Sequence, residues 1–122
     1  MNRCLIARQV RELQAALSIN KSELSRILGV SRPTVYDWLD DGEPNADNRA
    51  RIRTLMRLLA ESGVSADNPL FPRFVRSALE PGNQILLDVL SEETIDEVTA
   101  KDLIRRAKAV GDAMALMDWP GG

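Results

Sequence analysis

At 122 residues the chain has the usual size of one domain, and a hydrophobic content of 44% is enough for a packed core. It holds no histidine and one cysteine, Cys4, which excludes His-ligated metal sites, Cys/His zinc modules, Ser-His catalysis and an intrachain disulfide. Sixteen Lys and Arg against eighteen Asp and Glu leave a net charge of −2, so bulk charge does not announce a nucleic-acid partner.

The first eight residues lack the apolar run of a signal peptide, and nowhere do about 18 apolar residues follow one another. A cytoplasmic protein without a membrane partner is the expectation. Apolar spacing then reads as helix along most of the chain. Ile6, Val10, Leu13 and Leu17 fall at i, i+4, i+7 and i+11, on one face of a first helix over about 3–18. Asn20 can cap a second helix, with Glu23 placed three residues later to reach back to the cap amide. That helix carries Leu24, Ile27 and Leu28 and stops at Gly29, which tolerates the left-handed turn. Ser31 offers the next cap, with Pro33 allowed in the first turn of a helix over 32–40.

Asp40 to Pro44 reads as a turn, and Asn45 as the cap of a longer helix that ends near Gly63, with Ile52, Leu55, Met56 and Leu59 as its stripe. Residues 64–82 are punctuated by Pro69, Pro72 and Pro81-Gly82 and read as a connection holding one short element, helical or extended, over 73–79. Ile85 to Leu90 is too apolar for the surface. Thr99 is expected to begin the last helix, with Asp102 in the capping-box position, and to run to about Met117. Charge divides along the same lines, because residues 1–57 carry +3 and residues 58–122 carry −5.

The stretch from Lys21 to Asp40, KSELSRILGVSRPTVYDWLD, has the layout of a helix-turn-helix. Ser25 is small where the two helices must approach, Gly29 makes the turn, and Leu24, Leu28, Val30, Val35 and Trp38 supply apolar contacts. Together with Gly29-Val-Ser-Arg-Pro-Thr-Val-Tyr-Asp-Trp38, these residues make the chain resemble the lambda-repressor-like, or Xre/Cro-type, DNA-binding family over about residues 3–62. The resemblance implies an all-α fold in which the second helix of the motif enters the major groove of double-stranded DNA. It implies base contacts from Arg32, Pro33, Thr34 and Asp37, Arg32 being suited to O6 and N7 of guanine. Ser31 is placed for phosphate. Further phosphate contacts are expected from Lys21 and Ser22 at one helix start, from Asn45, Asn48 and Arg49 at another, and from the Tyr36 hydroxyl. Arg53 and Arg57 continue from Arg49 but recede from the groove and read as a solvated face, and Trp38 reads as core.

In the last helix Leu103, Ala107, Val110, Met114 and Met117 form a seam spaced 4, 3, 4 and 3, read as a dimerisation face or as an intrachain contact. Glu92 to Glu97 reads as a solvated acidic turn or the start of a helix. The expected organisation is therefore a DNA-binding domain over 1–63, a connection over 64–82 and a helical dimerisation or partner-binding region over 83–122. No cofactor, metal or enzymatic activity is expected. Two functions fit: a dimeric transcriptional regulator, most simply a repressor at an inverted repeat, or an antitoxin-type protein whose acidic second half holds a toxin or other protein.

Overall fold

The computed structural model describes residues 2–82 and 84–117, with the helical backbone alone for 2–4, 116 and 117. Among these residues the chain is all-helical: α1 (Asn2–Leu17), α2 (Lys21–Leu28), α3 (Arg32–Leu39), α4 (Ala46–Glu61), α5 (Pro72–Arg76), α6 (Leu86–Leu90) and α7 (Glu97–Met117). Outside the helices a bridge joins Ser65 and Asn68 and closes a turn.

Local chemistry accounts for the first four boundaries. Asn20 caps α2 in a full capping box, its side-chain oxygen accepting from the Glu23 amide while the Glu23 carboxylate accepts from the Asn20 amide. Gly29 ends α2 at φ 70°, a conformation in which a side chain would crowd the carbonyl. Ser31 and Asn45 cap α3 and α4 through the amides of Thr34 and Asn48. The α1 stripe of Ile6, Val10, Leu13 and Leu17 is buried, as are Val35 and Trp38 of α3.

The connection over 64–82 contributes to the core. The Leu70 amide donates to the Ala16 carbonyl, the Ser18 hydroxyl donates back to the Leu70 carbonyl, and Leu70, Phe74 and Val75 are buried. The short element there is helical. Beyond it α6 packs on α2, α5 and α7, and α7 also lies along α4, so one continuous core runs from Ile6 to Ala107.

Two features of the last helix differ from expectation. It begins at Glu97, ahead of Thr99, because Asp96 is its cap and takes both the amide and the hydroxyl of Thr99. Asp102 instead pairs with Arg106 one turn on. The seam also divides. Leu103 and Ala107 are buried by the chain's own α4 and α6 layer and are closed to a partner, Met114 packs partly on the core, and Val110 stays 39% exposed. The side chain of Met117 lies outside the described residues, as does that of Cys4.

Candidate nucleic-acid interface

The α2–turn–α3 unit sorts its residues by helical phase. Val35 and Trp38 point into the core, which leaves Arg32, Pro33, Tyr36 and Asp37 exposed on the outer side of α3. Arg32 forms no ion pair with any described residue, so its guanidinium fork is free. Ser31 and Thr34 are committed to each other, their hydroxyls 2.9 Å apart while the Ser31 oxygen also caps the Thr34 amide.

Lys21, at the first position of α2, places its ammonium 5.8 Å from the centroid of the Tyr36 ring. This contact brings the start of α2 beside the middle of α3, with Ser22 exposed alongside. At the other end, Gly42 lies against Asp37: its amide donates to the Asp37 carbonyl at 2.8 Å, and a β-carbon there would stand 2.6 Å from the Asp37 Cγ. The Asp37 carboxylate is thus folded over the α3–α4 turn.

The α4 start is more engaged with itself than its residue types suggest. The side-chain oxygen of Asn45 accepts from the Asn48 amide at 2.9 Å, and Arg49 Nε donates to the Pro44 carbonyl at 3.1 Å with Glu43 3.5 Å away. Arg49 therefore braces its own turn. Asp40, Asp41 and Asp47 stand exposed in the same region and offset the basic groups. Arg53 is exposed, whereas Arg57 is tied to Glu61 and Glu97, which holds its guanidinium firmly protonated.

Two residues that support this surface carry no local sequence signal. Arg51 donates to the carbonyls of Ile27, Leu90, Glu92 and Glu93, fastening the last turn of α2 and the end of α6 to α4. Its partial burial lowers its pKa without threatening its charge. Arg76 makes a two-pronged pair with Glu23, both bonds 2.6 Å, so the carboxylate that caps α2 is also anchored to α5. The Arg76 hydrogen bond is the main reason the Glu23 carboxyl lies below its ordinary pKa; the Asn20 amide adds to the effect and burial opposes it.

Among the described residues no group of three or more His, Cys, Asp or Glu side chains is arranged to hold a metal ion, and no helix is long and apolar enough to cross a membrane. No family model matches the sequence, and neither a curated protein nor a solved structure matches it.

Proposed function

We propose that the chain is a sequence-specific DNA-binding transcriptional regulator of the lambda-repressor-like, Xre/Cro type, acting as a dimeric repressor at an inverted repeat. The observation that carries this reading is the outer side of α3, where a free Arg32 guanidinium stands with Pro33, Tyr36 and Asp37 on a helix fixed from behind by buried Val35 and Trp38. A rigid helix with a free fork at its N-terminal end suits a guanine edge in the major groove, a contact worth about 1–3 kcal/mol of discrimination.

Lys21, Ser22 and the first free amides of α2 would take phosphate on one side of the helix, and the first amides of α4 on the other. Asn45 and Asn48 would act chiefly by ordering the α4 start, and Arg49 by bracing its turn. Thr34, hydrogen-bonded to Ser31, is better placed to hold the helix start than to read a base. With a net charge of only +3 over residues 1–57, a single copy would bind weakly, and two copies on half-sites about 34 Å apart would supply the missing affinity.

Selection of bound sequences from random duplexes tests the reading directly. A symmetric motif should emerge, and Arg32→Ala should abolish preference at one position of each half-site while salt-sensitive binding remains in a gel-shift assay. Unchanged discrimination by that variant would overturn the assignment of Arg32.

A second reading has its own support. In the acidic second half Glu92 and Glu93 are exposed and form no ion pairs among the described residues, which suits a basic protein partner and an antitoxin-type role. Stoichiometric co-purification of one protein from the native source, lost when these carboxylates are neutralised, would favour it.

A further inference from the structure

The first turn of α2 lies between α3 and α5. Lys21 and Glu23 are two residues apart, about 200° around the helix, and they lean opposite ways. The Lys21 ammonium sits over the Tyr36 ring of α3, and the Glu23 carboxylate enters the two-pronged pair with Arg76 of α5. Ser22 stands exposed between them. The surface that begins on α3 therefore continues across α2 onto α5, an element of the second half of the chain.

Arg76 is not used up by its pair. Nε and Nη2 serve Glu23, and Nη2 also approaches the Ser18 carbonyl at 3.5 Å, whereas Nη1 donates to no described residue and the side chain is 41% exposed. Arg73, one turn earlier on α5, is exposed and forms no ion pair among the described residues. Around this turn the cations Lys21, Arg26, Arg73 and Arg76 stand against the carboxylates Glu23 and Asp88, each of which is paired, so four positive groups against two negative ones leave +2. We infer that α5 is part of the DNA-binding surface, and that Arg76 holds a backbone phosphate through Nη1 while its other edge holds Glu23. The inference rests on the DNA-binding reading and extends it beyond the helix-turn-helix. Cations spread over two helices, and not gathered round one point, suit an extended polyanion that meets them one phosphate at a time. The pair with Arg76 also cancels a carboxylate that would otherwise repel phosphate at the start of α2.

Full-length variants would be compared with the parent on a duplex selected from random sequences, with affinity read by fluorescence anisotropy from about 50 to 200 mM salt. Arg76→Gln should lower the slope of log affinity against log salt by about one, so that the parent loses about threefold more affinity than the variant across that range. Arg76→Lys should restore the slope, although one ammonium cannot repeat the two-pronged pair with Glu23. In a Glu23→Gln background Arg76 has no carboxylate left to anchor, yet adding Arg76→Gln there should still lower the slope by about one. Arg105→Gln, at an exposed position on α7 without an ion pair among the described residues, should keep the parent's slope.

An unchanged slope in Arg76→Gln, or a loss that vanishes in the Glu23→Gln background, would overturn the inference and leave Arg76 with the anchoring of α2 alone. An equal fall in Arg105→Gln would also overturn it, because net charge and not position would then govern binding. In each of these outcomes the parent still binds its duplex and the DNA-binding reading stands, whereas a parent that binds no duplex removes both. Arg76→Gln gives up one exposed ion pair, so its circular dichroism should match that of the parent.

Discussion

Glu23 closes two circuits with one carboxylate, the capping box at the start of α2 and the pair with Arg76 on α5. Its carboxyl is held below its ordinary value of 4.5 in the folded chain, so its contribution to stability is complete above that pH and is lost as pH falls through the lower, folded value. Urea unfolding at successive pH values should therefore show Glu23→Gln less stable than the parent near neutrality by about 1 kcal/mol, a figure reduced for solvent screening of Arg76, with the gap closing in acid. Arg51 makes the complementary case. Four carbonyls lose their donor in Arg51→Ala, which should cost about 2–4 kcal/mol in urea unfolding, and Arg51→Lys should recover only part because one ammonium cannot span all four. Neither role is legible at its own position in the sequence, since Arg76 lies 53 residues from Glu23 and the carbonyls that Arg51 holds lie 24 to 42 residues away.

At the scale of elements, the first four helices are written in their own ends. Asn20, Ser31 and Asn45 each accept from an amide three residues on, and Gly29 supplies the left-handed turn. The α3–α4 turn adds a condition that residue type alone does not reveal. Gly42 must lack a side chain because Asp37 occupies the space, its carbonyl 2.7 Å and its Cγ 2.6 Å from where a β-carbon would stand. Gly42→Ala should destabilise the chain by about 1–3 kcal/mol in denaturant unfolding and disturb the C-terminal end of α3, where Asp37 stands. The last helix shows how two chemically reasonable caps compete. Thr99 and Asp102 have suitable spacing, yet Asp96 is preferred: its carboxylate takes both the Thr99 amide and hydroxyl, and Ile95 just before it packs against the core and fixes the entry of the chain.

At the scale of the whole molecule, the second half is joined to the first by a shared core and by ties along α2. Leu70, Val75, Leu86, Leu90 and Ile104 belong to the same apolar cluster as Leu13 and Leu24. Glu23–Arg76 fastens α2 to α5, Arg26–Asp88 fastens it to α6, and Arg51 on α4 holds the ends of both α2 and α6. Any association through α7 must then use its outer side, where Val110 and the neighbouring Phe71 remain exposed. Val110→Glu should convert a dimer to a folded monomer in light scattering, whereas Leu103→Glu should unfold the chain by burying an unpaired charge. A dimer that survives Val110→Glu would place self-association elsewhere.

The amino-acid sequence by itself determined the helical class, the caps and stops of the first four helices, and which side of α3 turns outward. These depend on contacts within about four residues and on a 3.6-residue period, both of which can be read along the chain. Only the tertiary structure decided that residues 64–82 belong to the core, that Leu103 and Ala107 serve the chain's own packing, and that Arg49 braces a turn while Arg51 binds two halves together. An apolar stripe or a guanidinium states what it can satisfy; which surface satisfies it depends on neighbours brought close by the fold.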